Sequence, residues 1–174
     1  MRRLITVLLL VTAALIALLV IPNDFAGKTR IYNTVEINRP ADKIFDYVTT
    51  PANWPRWHPS SLGVSAGADH SLKVGEQVIE DFDVAGHKGR ALWTVAERDP
   101  PRRWVLDGKV ECGGSGHITY TLTSNGDKTR FEQEFVYPRP NLLFAILDEW
   151  TIRRRVDAES AEAVRRLKFD LEKG

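Results

Sequence analysis

Residues 35–61 read VEINRPADKIFDYVTTPANWPRWHPSS, and their reading decides the fold. They begin inside an alternating run, RIYNTVEIN (30–38), which puts Ile31, Val35 and Ile37 on one side of a strand. Pro40 suits the first turn of a helix, and Ile44, Phe45 and Val48 give that helix an apolar stripe. Pro51, Pro55 and Pro59 then forbid a long continuation. Trp54 and Trp57, three residues apart, therefore lie side by side on a second short helix with broken ends. The order so far is one strand leading directly into two short helices.

Residues 62–138 have strand character and turn punctuation. LGVSAG (62–67) is a short strand. EQVIEDFDVAG (76–86) and GRALWTVAERDP (89–100) are joined through GHKG, Gly86 to Gly89, a hairpin signal. RRWVLDGKVE (102–111) leads through the flexible CGGSG into HITYTLTSNGDKTRFEQEFVYP (117–138). The strongest hairpin signal is Asn125-Gly126-Asp127, set between two alternating arms. Ile118, Tyr120 and Leu122 share a face on the first arm, and Phe131, Phe135 and Tyr137 on the second. Arg130, Glu132 and Glu134 take the wet side, as in an antiparallel sheet covered on one face.

After Pro138 and Pro140 the period changes from two to 3.6. Asn141 is a plausible N-cap for one long helix. Its stripe is read as Leu143, Ile146, Leu147 and Trp150, then Ala161, Val164, Leu167 and Leu171. Strands with a terminal helix to cover them make an α+β domain. A curved sheet around one helix leaves a gap, and that gap is the natural ligand cavity.

The first 21 residues differ from the rest. Arg2 and Arg3 precede a run that carries no charge from Leu4 to Ile21. At about 1.5 Å per residue the run measures roughly 27 Å, close to a bilayer's hydrocarbon core. Ala26 with Asp24 two positions before it is a poor cleavage site, so an uncleaved signal anchor is expected. The basic end stays in the cytoplasm, which places the domain on the extracytoplasmic (periplasmic) side. The expected organisation is an anchor over 1–21, a linker over 22–29 and a domain over 30–174.

The 174-residue chain carries 24 basic and 23 acidic side chains, a net charge of +1. That balance gives no reason to expect nucleic acid as a partner. One cysteine, Cys112, makes neither an intrachain disulfide nor a cysteine zinc cluster. It shares parity with Trp104, Leu106 and Val110 and reads as a small core- or cavity-facing hydrophobe. His58, His70, His87 and His117 show no metal-ligand spacing, and no nucleophile elbow or dinucleotide fingerprint occurs. No metal, cofactor or catalytic residue is therefore assigned.

The stretch VEINRPADKIFDYVTTPANWPRWHPSS, together with GDKTRFEQEF (126–135) and the long helix after it, resembles the START/Bet v allergen-like (SRPBCC) superfamily. Polyketide cyclase/dehydrase and lipid-transport proteins belong to it. The residues that carry the resemblance are Pro40, Ile44, Phe45, Asn53, Trp54, Trp57, Gly126 and Thr129, within a match over about 30–172. It implies a helix-grip fold: a curved antiparallel sheet of about seven strands around a C-terminal helix, with two short helices after the first strand. It implies no single chemistry, because binders, cyclases, hydroxylase subunits and chaperone activators share the fold.

This frame gives the candidate site residues. Trp54, Trp93, Tyr120, Phe131, Phe135 and Trp150 are expected to line the cavity. Trp57 reads as a structural plug, and His58, beside Pro59, as a surface histidine. Val78, Glu80, Phe82 and Val84 share a face, so Glu80 either points into the cavity or sits solvated near its mouth. Stepping along the long helix from Trp150 reaches Arg153 or Arg154 and then Asp157, with Arg154 and Asp157 taken as the candidates. These form either a solvated face or a pair inside the cavity that orients a polar head. The expected function is binding of a hydrophobic or amphipathic small molecule, such as a lipid, by a membrane-tethered domain. A cyclase/dehydrase-like enzyme using Glu80 or Tyr120, and a ligand-free interaction domain, are the alternatives.

Overall fold

The computed structural model describes residues 2–22, 24–111 and 113–173; Cys112 lies outside them. A first helix, α1 (Arg2–Val20), is followed by one 3-10 turn and strand β1 (Lys28–Ile37). Then come α2 (Ala41–Val48), a 3-10 turn over Pro51–Asn53 and α3 (Trp54–Trp57). Six more strands come next: β2 (Ser61–Val64), β3 (Gln77–Val84), β4 (His87–Asp99), β5 (Arg103–Val110), β6 (Ser115–Asn125) and β7 (Lys128–Pro138). Two helices close the chain, α4 (Leu142–Trp150) and α5 (Ile152–Lys173).

The seven strands form one antiparallel sheet in the order β1-β7-β6-β5-β4-β3-β2. The long gap between β1 and β2 in sequence holds α2 and α3, so the first strand pairs with the last. The sheet curls around α5, which is the helix-grip arrangement. Period-two alternation puts Phe131, Gln133 and Phe135 of β7 on the same face as Tyr120 and Ile118 of β6. Residues Val78, Glu80 and Phe82 of β3 continue that face on the far side of the curl.

The core forms two clusters. The larger gathers Ile44, Phe45, Val48, Trp57, Trp104, Phe131 and Leu167 beneath α2 and α3. Trp57 and Trp104 are wholly buried, and each indole removes roughly 200 Å² from water, worth on the order of 5 kcal/mol. Trp57 is thus the plug that its sequence suggests. Its ring meets Tyr120 and Phe131 edge-on. The smaller cluster contains Ile31, Ala85, Tyr137 and Val156, with Phe144 and Ile152 against it.

Two local expectations change. The β3–β4 turn is Ala85-Gly86, both at positive φ, and not the later GHKG. Val84 pairs with His87, and both central residues adopt the left-handed conformation of a two-residue hairpin. Ala85 has a Cβ to accommodate there, but its methyl is buried and its N–H donates to Glu159 on α5. The C-terminal helix is also two helices. Asn141 caps α4 by accepting the Phe144 N–H, as expected, but α4 ends at Thr151, whose φ and ψ leave the helical region. α5 buries Val156, Ser160, Ala163, Val164 and Leu167, whereas α4 buries only Asp148.

Asp148 explains how α4 is held. Its carboxylate accepts hydroxyl hydrogen bonds from Thr29 of β1 and, at 2.7 Å, from Tyr137 of β7. Burial, and then that bond to Asp148, raise the Tyr137 phenol above its ordinary range. Four apolar residues of α4, Leu143, Ile146, Leu147 and Trp150, are exposed on the side away from the core. The helix they belong to touches α1. In α1, the 18 residues from Arg3 to Val20 are long and apolar enough to cross a membrane, and none of that length is buried against the domain.

Candidate ligand cavity

Between the sheet and α5 lies a cavity of about 560 Å³, within the range of drug-sized ligand sites. It occupies the space between the two core clusters and runs along β7 from Gln133 to Pro138. Its walls are apolar and largely aromatic: Phe82, Trp93, Phe135, Ile118, Phe144 and Ile152. At one end the lining residues Gly113, Gly114, Pro138 and Pro140 are exposed, and there the cavity opens beside α4.

Glycines shape the walls. A Cβ on Gly108 would stand 2.4 to 2.8 Å from three ring carbons of Trp93. On Gly116 it would stand 2.7 Å from Phe135, and on Gly89 2.7 Å from Phe82. Each ring therefore packs against a backbone position that only glycine leaves clear.

The inner end is polar. Trp54, buried in α3, faces it, with its indole N–H given to the Val48 carbonyl. Glu80 accepts the Trp93 indole N–H at 2.7 Å. Burial raises the Glu80 carboxyl to about 6, against the lowering pull of the Ser61 hydroxyl and the Trp93 N–H. His58 also lines this end. Burial, reinforced by the charge of Arg166, pushes its imidazole down to about 4, so it is neutral at physiological pH. Burial and the Glu80 charge push the Tyr120 phenol up, and it stays protonated. Gln133 reaches His58 over 3.4 Å. On the α5 side, Glu159 accepts the Ser60 hydroxyl at 2.7 Å and the Ala85 N–H at 2.9 Å, tying the helix to two loops.

Four of the expected lining residues meet here: Trp54, Trp93, Tyr120 and Phe135. Glu80 takes the inward of its two orientations. Phe131 packs wholly buried in the core below and does not reach the cavity. Trp150, Arg154 and Asp157 lie outside it, in a separate surface groove with Arg30, Tyr32 and Arg153. There the Arg154 guanidinium stacks over the Trp150 ring at 5.2 Å, and Asp157 accepts a long hydrogen bond from Asn33. Trp150 and Arg154 keep helical spacing across Thr151, and that side of both helices faces outward, while α5 packs on the side of Val156, Ser160, Ala163 and Leu167. His58, expected at the surface, is a cavity residue, since its loop folds back against Trp57 and Gln133.

Sequence reasoning misses Gln133, Ser160 and Glu159. Gln133 has the parity of Phe131 and Phe135, so strict alternation would place it inside. Ser160 and Glu159 carry no such signal, because small and charged residues on a helix fit an exposed face equally well. No grouping of His, Cys, Asp and Glu suited to a metal ion occurs among the described residues.

Comparison with known proteins places this geometry. The family described as "Polyketide cyclase / dehydrase and lipid transport" matches residues 28–172. Penitrem biosynthesis cluster 1 protein I of Penicillium ochrochloron is 36% identical over 108 residues, 55% of this chain and 67% of that one. DynU16, from the dynemicin biosynthetic locus, superposes with a TM-score of 0.59 at 22% identity over 88% of this chain. The match spans only 49% of DynU16, about half its length. A START superfamily protein from Mycobacterium smegmatis superposes with a TM-score of 0.59 at 16% identity, over 83% of this chain and 97% of that one. The two structures share the fold with this chain.

Proposed function

The chain belongs to the polyketide cyclase/dehydrase and lipid transport family, and on that premise we propose that it binds a hydrophobic small molecule in the cavity between the sheet and α5 while tethered to a membrane. One observation carries the reading: about 560 Å³ of space is walled by apolar rings, yet Glu80, His58, Tyr120 and Gln133 converge at its inner end. Burying an apolar body there is worth about 25 cal/mol per Å² removed from water, and the polar end fixes its orientation.

The membrane enters through α1 and α4. The Arg3–Val20 span has the length of a bilayer core, and the basic residues at its start, Arg2 and Arg3, favour the domain lying outside the cytoplasm. α4 touches the span and turns Leu143, Ile146, Leu147 and Trp150 outward beside the cavity's open end. An interfacial helix in that position lets a ligand pass between bilayer and cavity without crossing water.

Native mass spectrometry of the detergent-purified full chain, with extraction and identification of bound small molecules, tests this. A reproducible co-purified hydrophobic ligand supports it. An empty protein with no thermal shift across a panel of hydrophobic compounds defeats it.

A second reading has its own observation. A buried carboxyl with a pKa of about 6 beside a protonated phenol is a general acid–base pair in a dry site. Turnover of a polyketide-like substrate that is lost in Glu80→Gln, with binding retained, would favour cyclase/dehydrase-type chemistry over carriage.

A further inference from the structure

The inner end of the cavity holds hydrogen-bonding capacity that the protein itself leaves unused. Gln133 is 2% exposed, and its amide nitrogen donates toward His58 Nε2 at 3.4 Å. Its Oε1 is buried without a partner. Ser160 of α5 is 4% exposed, and its Oγ is likewise buried without a partner. Both residues line the cavity. Two orphaned polar atoms on residues that line one space are costly in an empty protein and become binding groups when a side-chain rotation lets a ligand meet them.

The charges there select what the ligand is. Two carboxylates, Glu80 and Glu159, line the cavity, and no Lys or Arg does so among the described residues. Glu159 is already satisfied by Ser60 and Ala85, and Glu80 by Trp93. A ligand carboxylate or phosphate would be desolvated beside like charge with no cation to meet it. A hydroxyl suffers no such penalty. It donates to Gln133 Oε1 and accepts from Ser160 Oγ, and because it does both, it satisfies the Gln133 amide in either orientation.

Resting on the binding reading above, we propose that the cavity takes a neutral hydrophobic alcohol. It enters hydroxyl first, with Gln133 and Ser160 as the hydrogen-bond partners of that hydroxyl, and the acidic analogues are excluded. Trp93, Phe135 and Phe144 hold the apolar body along the way to the mouth.

The test is displacement of the neutral fluorophore N-phenyl-1-naphthylamine from the full-length protein in detergent micelles at pH 8. Three ligands with one tail are compared: farnesol, farnesyl methyl ether and farnesoic acid. Farnesol is expected to bind about tenfold more tightly than the ether, which cannot donate, and more tightly still than the acid. Gln133→Leu is expected to abolish the preference for alcohol over ether. Ser160→Ala, which perturbs packing least, is expected to reduce the same preference severalfold. Equal binding of all three ligands, or a preference that survives both variants, overturns the alcohol assignment alone. Failure of the fluorophore and of every ligand to bind overturns this proposal and the binding reading together.

Discussion

The indole N–H of Trp93 donates to the Glu80 carboxylate over 2.7 Å, across the two neighbouring strands that wall one side of the cavity. Glu80 is thereby held inside, in a place where ionisation costs the folded state.

The sign of that cost is fixed by the direction of the shift. The folded carboxyl titrates at about 6 and the ordinary value is 4.5, so the penalty is absent below pH 4.5 and complete above pH 6. The gap corresponds to about 2 kcal/mol. Glu80→Gln, which can still accept from Trp93, should raise Tm by about 5 °C at pH 8 and leave it unchanged at pH 4. A Tm difference independent of pH would refute the burial of this charge.

His58 acts in the opposite sense. Its imidazole titrates at about 4 when folded against an ordinary 6.5, so stability falls as pH drops from 6.5 to 4. The loss amounts to about 3 kcal/mol. His58→Asn should flatten thermal stability between pH 7 and pH 4, as read by circular dichroism melts. A variant as acid-labile as the parent would place His58 in contact with solvent.

Gly108→Ala should force the Trp93 ring away from the sheet, because the new methyl would stand inside contact distance of three ring carbons. The expected cost is about 1–3 kcal/mol by urea unfolding. Near-ultraviolet circular dichroism should change with it. An unchanged aromatic spectrum would mean that the ring does not lie on that backbone.

Asp148→Ala should destabilise the junction of α4 with the sheet by about 2–4 kcal/mol, since the Thr29 and Tyr137 hydroxyls lose a shared buried acceptor. Hydrogen exchange should rise first in α4. Protection of α4 equal to that of the parent would remove Asp148 as its anchor.

Arg154→Leu should leave displacement of N-phenyl-1-naphthylamine from the full chain unchanged within about twofold, because Arg154 stacks on Trp150 in the outer groove. A large loss of affinity would restore the cavity role that its helical spacing suggests.

Hydrophobic periods of two and 3.6, with turn chemistry at Asn125-Gly126, dictate the element order from sequence alone, because local geometry and burial agree at those positions. The inward side of β3 and of β7 follows from parity, which is why Glu80 is a candidate from sequence and Gln133 is derivable. Which side of a helix packs is different. Nothing local separates the outward side of Leu147, Trp150 and Arg154 from the buried side of Val156–Leu167, and the choice depends on Asp148 finding Thr29 and Tyr137, residues distant in sequence. His58 illustrates the same limit: a loop residue between Trp57 and Pro59 becomes interior only because Gln133 and the long helix close over it.

The rings packed on Gly89, Gly108 and Gly116 have an evolutionary consequence. The width of the chamber is encoded in positions that present no side chain at all. A single-carbon gain at any of them would lift an aromatic wall inward and narrow the choice of guests, with the hydrogen-bonding end untouched. Guest size and guest polarity can thus drift independently, one governed by backbone bareness on the middle strands and the other by the polar cluster at the far end.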